Sequence, residues 1–324
     1  MTPAQIAETI LNGDLRRAAR LMRDIDDGMP QAVEVLKILY PHQGRALLVG
    51  ITGSPGVGKS TLTDALVTVY RQRGLTVGVV AVDPTSPFSG GAILGDRVRM
   101  QRHATDEGVF IRSLATRGHF GGLTASTRGV AAVMAAMGMD VVIIETVGVG
   151  QDEVDIVRTA DSTVVVTVPG LGDDVQAIKA GILEVGDIFV VNKMDLHGAS
   201  TAASQLEGML AMKQGEEGGG RHGDWSPPVL LACARDGRGL DELTQALDDH
   251  RLALRKDGGR LWRRRRMERA RMELMDLIQT RVLERLRDSL EADGRLQGLA
   301  AQVADGDRDP YTICEEVMDA VLLK

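Results

Sequence analysis

The stretch Gly53-Ser54-Pro55-Gly56-Val57-Gly58-Lys59-Ser60-Thr61 reads G-x-x-x-x-G-K-S, the pattern of a phosphate-binding loop. Ahead of it stands an apolar run, Ala46-Leu47-Leu48-Val49-Gly50-Ile51-Thr52, of the kind that forms a strand buried on both faces. Behind it, Leu62, Ala65, Leu66 and Val69 recur at helical spacing. Strand, glycine loop and helix in that order is the context the motif requires, which sets it apart from a chance glycine turn. Glycines let backbone N–H groups converge on phosphate oxygens, and the helix N-terminus adds partial positive charge. The pattern assigns Lys59 to the β- and γ-phosphates and the Ser60 hydroxyl to Mg²⁺.

Outward from this loop, residues 45–254 alternate between strand and helix patterns. Strands are expected at 46–52, 76–83, 108–114, 140–146, 162–169, 187–193 and 228–234, and crossover helices at 62–72, 123–137, 175–184, 200–212 and 240–252. Near-continuous apolar runs such as Val141-Val142-Ile143-Ile144 mark strands covered on both faces. The expected fold is α/β, a doubly wound, mostly parallel sheet, with ligands at the carboxyl ends of its strands. Residues 1–44 read as a helical N-terminal extension, opened by Thr2-Pro3 and broken at Asn12-Gly13-Asp14. Residues 255–324 read as a helical C-terminal arm, with an apolar stripe through Met267, Leu274, Leu277, Ile278 and Val282. Such a stripe needs a cover, and a second subunit is the economical one. The run Arg263-Arg264-Arg265-Arg266 is read as a solvated helix face.

Composition narrows the classes. A net charge of -7 argues against bulk electrostatic binding of nucleic acid. The 2 cysteines, Cys233 and Cys314, form no C-x-x-C pair, which argues against a disulfide scaffold or a zinc module. No basic leader followed by an apolar stretch and no bilayer-length apolar run is visible, so the expectation is a cytoplasmic protein.

The base and the metal are read from strand ends. Asn192-Lys193-Met194-Asp195 is N-x-x-D of the guanine-reading type, N-K-x-D, at the end of a late strand. Asp195 can accept from guanine N1–H and its 2-amino group together, whereas adenine would leave the carboxylate unpaired, so GTP and GDP are expected over ATP. Asn192 supports the loop and Lys193 lies along the base. Ala232-Cys233-Ala234, at the end of the following strand, is placed to offer a backbone N–H to the base. Mg²⁺ needs hard oxygen ligands beside Ser60. Asp83 and Glu145 end strands on that side, and Glu145 is preferred to Asp140 because Asp140 stands at the amino end of its strand. Asp96 follows a glycine-containing stretch that can order around the γ-phosphate.

At this point the residues resemble a known group. Val82-Asp83-Pro84-Thr85-Ser86 through Gly95-Asp96-Arg97, Glu145-Thr146-Val147-Gly148-Val149-Gly150-Gln151, and Pro169-Gly170-Leu171-Gly172-Asp173-Asp174 onward to Lys179 resemble the three switches of the MeaB/ArgK family. Those proteins are GTPases associated with methylmalonyl-CoA mutase. The resemblance implies a chaperone that uses GTP to gate adenosylcobalamin loading, protection and reactivation in an adenosylcobalamin-dependent acyl-CoA mutase. It implies Lys59, Glu145 and Lys179 as the catalytic and communicating residues, Asp83, Asp96, Glu145 and Ser60 around the metal, and a homodimer through the C-terminal helices. With no assignable arginine finger, slow turnover accelerated by the partner is expected. Three rivals are a nickel-loading GTPase, a transport-linked kinase and a non-enzymatic scaffold. The 6 scattered His weigh against the first, and the missing H-R-D-x-x-x-x-N loop weighs against a protein kinase.

Overall fold

A computed structural model describes residues 1–44, 46–83, 100–115, 125–146, 156, 159–170, 183–184, 186–214, 222–292 and 294–322. The chain divides into two compact units, Met1–Arg265 and Arg266–Lys324. The first is built on β1 (Leu47–Thr52), β2 (Val77–Asp83), β3 (Val109–Ala115), β4 (Val141–Glu145), β5 (Ser162–Thr167), β6 (Ile188–Val191) and β7 (Val229–Leu231). They form one 7-stranded sheet in the order β3-β2-β4-β1-β5-β6-β7. Every pairing is parallel. The chain therefore winds to one side of β1 through β2, β3 and β4, then to the other through β5, β6 and β7. That reversal opens a crevice at the carboxyl end of β1, where doubly wound sheets bind ligands.

Both faces of the sheet are covered, and the two-residue period of a strand decides which side chain serves which face. Val141 and Ile143 join Val49, Ile51, Val164 and Val166 against α4 (Lys59–Gln72), whose Leu62, Ala65, Leu66 and Tyr70 are buried. Val142 and Ile144 turn the other way, into a cluster with Val130, Val133 and Met134 of α5 (Ala125–Ala136). The same cluster takes in Ile10, Met22 and Val35 from α1 (Pro3–Leu11), α2 (Leu15–Asp26) and α3 (Pro30–Leu39). These three short helices are fixed by local chemistry. Thr2 and Gln5 form a reciprocal capping box, the Asp14 carboxylate accepts from Arg17 N–H, and Pro30 opens α3. α6 (Ala199–Gln214) packs on the β6–β7 edge through Ala199, Ala202, Ala203 and Leu206.

The helical stretch α7 (Leu240–Ala292) is two helices across a kink, with non-helical backbone at Lys256, Asp257, Gly258 and Gly259. Asp257, Gly258 and Gly259 are all left-handed, at φ 52, 67 and 73. Two glycines make such a reversal cheap. In the second unit, α8 (Arg295–Ala304) and α9 (Pro310–Leu322) follow, α9 being capped by Asp309, which accepts from the N–H groups of Tyr311 and Thr312. Leu274, Leu277, Ile278 and Val282 are exposed along this unit.

One arginine of the four-arginine run departs from the expected solvated face. Arg265 is only 6% exposed and donates to the fully buried Asp187 at 2.9 Å. Asp187 also accepts from Thr163 N–H at 2.9 Å and lies 3.5 Å from His250, whose other ring nitrogen meets the Ser162 hydroxyl at 2.7 Å. The cluster ties the start of β5 and β6 to α7. Removing one partner of a buried pair strands the other charge, which costs far more than losing an exposed arginine. Arg265→Ala is expected to lower the unfolding free energy by about 3 kcal/mol, and Arg263→Ala by less than about 0.5 kcal/mol, in urea denaturation of the whole chain. Equal small losses would contradict the cluster's role.

Candidate nucleotide-binding site

The phosphate-loop residues sit where β1 gives way to α4. Gly53 has φ 139, and a Cβ there would fall 2.1 Å from the Val166 carbonyl oxygen on β5. Gly58 has φ 92, and its Cβ would meet the Asn192 amide nitrogen at 2.6 Å. Only glycine satisfies both demands at either position. Ser54, Pro55, Gly56 and Val57 complete the loop between them, and Thr61 stands in the first turn of α4. Gly58 is the N-cap of α4 and no side chain caps that end. Its first-turn N–H groups and the helix dipole suit an anion. Lys59 is 6% exposed, and its ammonium donates to the carbonyls of Gly53 at 2.7 Å and Ser54 at 3.1 Å. The cation is thereby held against the loop that precedes it.

The Ser60 hydroxyl donates to a Glu145 carboxylate oxygen at 2.6 Å, in a buried contact between α4 and the end of β4. Glu145 is placed by register: it pairs with Ile51, and Thr146 N–H continues the ladder to the Ile51 carbonyl at 3.1 Å. Asp140 stands at the other end of the strand and accepts from the Thr76 N–H at 2.8 Å and hydroxyl at 2.9 Å. A hydroxyl and a carboxylate side by side are the donor set a hard divalent cation takes when phosphates supply further oxygens. Asp83 ends β2, though its side chain lies outside the described residues, as do Asp96, Gln151 and Lys179.

On the other flank, β6 runs into Asn192, which is 2% exposed. Its amide donates to the Val57 carbonyl at 2.8 Å and its oxygen accepts from Ala234 N–H at 3.0 Å. Lys193 has φ 57, a left-handed conformation costing a non-glycine residue about 1 kcal/mol, and its ammonium donates to the Gly56 carbonyl at 3.0 Å. Met194 N–H donates to the Ala232 carbonyl at 2.9 Å, drawing the loops after β6 and β7 together. The three N–H groups of the second loop all donate inside the protein: Ala232 to Val191, Cys233 to Arg238 and Ala234 to Asn192. A base oxygen would therefore share a donor with one of them.

Asp195, at the tip of the first loop, is partly exposed. Two neighbours of its carboxylate escaped the sequence reading. The Cys233 thiol donates to one oxygen at 3.4 Å, and Arg235 comes within 3.6 Å of the other. No spacing rule links positions 195 and 233; the contact follows only from β6 and β7 being neighbours. Chemically, the arrangement offers an anion-binding helix end, a hard-oxygen pair and a carboxylate that can accept two parallel donors.

Comparison with known proteins agrees with this geometry. The profile of the family described as methylmalonyl Co-A mutase-associated GTPase MeaB matches residues 18–291. A relative from Pyrococcus abyssi is 45% identical over 318 residues, covering 98% of this chain and 96% of its own. The GTPase ArgK of Escherichia coli is 36% identical over 264 residues, 79% of this chain and 78% of its own. A solved structure described as a LAO/AO transport system kinase superposes with a TM-score of 0.72 at 27% identity, over 99% of this chain and 97% of that one. A parallel sheet with a phosphate loop at its switch point, matched over most of its length by GTPases, identifies the chain as a P-loop GTPase of the methylmalonyl-CoA mutase-associated MeaB family.

Proposed function

We propose that the chain is a G protein that uses GTP to gate adenosylcobalamin loading, protection and reactivation in an acyl-CoA mutase of the methylmalonyl-CoA mutase type. The observation that carries the nucleotide half is Asn192, which ties the phosphate loop at Val57 to the turn at Ala234. Membership of the mutase-associated family supports the partner half. The reading includes Asp195 as the guanine acceptor. Guanine presents N1–H and a 2-amino group, and a buried or half-buried carboxylate facing adenine would lose both partners.

In hydrolysis, water attacks the γ-phosphorus, the bond to the β–γ bridging oxygen breaks, and GDP leaves with phosphate. There is little covalent work for the protein, so its part is positioning and charge stabilisation. The N–H groups at the start of α4 hold the phosphates, and Lys59 neutralises charge on the β- and γ-oxygens. Ser60 and Glu145 would hold Mg²⁺, with Asp83 and Asp96 beside them. The ion supplies Lewis-acid neutralisation of phosphate charge when bound. Lys179 is assigned to communication with the mutase. The exposed apolar residues Leu274, Leu277, Ile278 and Val282 support dimerisation through the C-terminal helices. The absence of a described helix long and apolar enough to cross a membrane fits a cytoplasmic setting.

Three measurements test this reading. Asp195→Asn should weaken GTP binding by at least about 2 kcal/mol and shift preference toward xanthosine triphosphate, because the amide donates where guanine also donates. Unchanged GTP affinity would remove Asp195 from base recognition. Glu145→Ala should lower GTP turnover about a hundredfold while changing GDP affinity less than about threefold. The coupling itself is read from phosphate release with and without saturating mutase. Stimulation of tenfold or more is expected with the partner, given that an added catalytic group can contribute about 10³–10⁵. Identical rates would leave a GTPase without the proposed gating.

A further inference from the structure

Away from the nucleotide, at the amino ends of β5 and β6, a histidine is sealed into the cluster that holds Arg265. His250 is fully buried, and its two ring nitrogens have different neighbours. Nδ1 lies 2.7 Å from the Ser162 hydroxyl, and Nε2 lies 3.4 Å from an Arg265 guanidinium nitrogen. A guanidinium can only donate, so Nε2 accepts that hydrogen bond with its lone pair. The proton of the neutral ring is then on Nδ1, facing Ser162. Trp225 covers the ring, with centroids 5.0 Å apart, and its indole N–H donates to the Asp187 carbonyl at 2.8 Å.

A second proton on this ring would be badly placed. Among the described residues, the charged groups facing Nε2 are Asp187 at 3.5 Å and Arg265 at 3.4 Å. At nearly equal distances the attraction of one and the repulsion of the other roughly cancel. Burial then decides, and it disfavours the cation. On β5, one oxygen of the Asp161 carboxylate is turned to the Leu48 N–H at 3.2 Å. His222, ahead of β7, lies 3.3 Å from the same Asp187 oxygen, with its side chain partly open to solvent. A positive charge there would be drawn to Asp187 and partly hydrated, which favours the closed cluster.

We infer that His250 is a proton-operated latch: neutral, it lets Arg265 hold the helical segment after the kink to the amino ends of β5 and β6, and protonated, it opposes that hold. The sign follows from counting protons. The closed cluster keeps Nε2 unprotonated, whereas the opened one exposes an ordinary imidazole, which takes up a proton below about pH 6.5. Opening therefore binds a proton and is favoured as pH falls through that range, and the latch is fully closed above it. His222 acts in the opposite direction, so it is not the source of opening by acid.

Hydrogen-exchange protection of the whole chain, read for peptides spanning residues 260–265 and for Val164–Val166 of β5, tests the latch. Between pH 7.5 and 5.5 protection at 260–265 should fall about tenfold in the parent, the ratio that one ordinary histidine gives over that range. Protection in β5 should change less than about twofold. His250→Gln, which keeps a neutral donor and acceptor, should hold its protection across the range. His222→Gln should show the parent's fall or a larger one. An undiminished pH dependence in His250→Gln, or its loss in His222→Gln, would overturn the inference. Nitrogen NMR of the parent's imidazoles gives a second reading that needs no folded variant: His250 is expected as the neutral Nδ1–H form at pH 6. A cation at that pH, or the Nε2–H form, would overturn it equally.

Discussion

The site depends on one buried amide. Asn192 spends its donor on the Val57 carbonyl and its acceptor on the Ala234 N–H, so three separate chain segments converge on one side chain. A hydrogen bond of this kind contributes only about 1 kcal/mol net, yet stranding either buried group costs about 1–3 kcal/mol. The asymmetry makes the arrangement specific more than it makes it stable. Gly58 belongs to the same constraint, because its missing side chain is what admits the Asn192 amide to the loop.

The sheet explains why these segments can meet. β1 lies between β4 and β5, and β6 follows β5, so the carboxyl ends of β4, β1 and β6 open on the same crevice. Register then sets the details. Glu145 pairs with Ile51 and so reaches Ser60 at the first turn of α4. The left-handed backbone at Lys193 turns the chain sharply after β6, and its ammonium repays part of that strain at the Gly56 carbonyl. Asn192 and Lys193 are thus both linked to the phosphate loop through its backbone carbonyls.

Much of the fold was legible because parallel strands buried on both faces are unbroken apolar runs. All seven expected strands occur, within one to three residues at their ends, and shortening is greatest at β6 and the edge strand β7, where pairing covers few residues. Short local signals also carried, as with Thr2-Pro3 and Asp14, since a cap needs only its own neighbours. What stayed hidden were contacts between distant positions. Arg265 reads like its three neighbours until Asp187 and His250 are brought beside it. Cys233 reads as strand-to-loop sequence until β7 lies next to β6. The crossover expected at 175–184 falls almost wholly outside the described residues.

If the proposed site joins a phosphate loop to a guanine-reading loop, a nucleotide stabilises the folded chain in proportion to how tightly it binds, and one with the wrong base binds far more weakly. Thermal unfolding of the parent chain in Mg²⁺ with GDP, and separately with ADP, tests this most directly. A ligand at a hundred times its Kd adds about 2.7 kcal/mol to the folded state, enough to raise Tm by several degrees. The account predicts that shift with GDP and no measurable shift with ADP at the same concentration. Equal shifts with the two nucleotides would contradict it, because the phosphate loop would then be binding without the carboxylate at Asp195 reading the base.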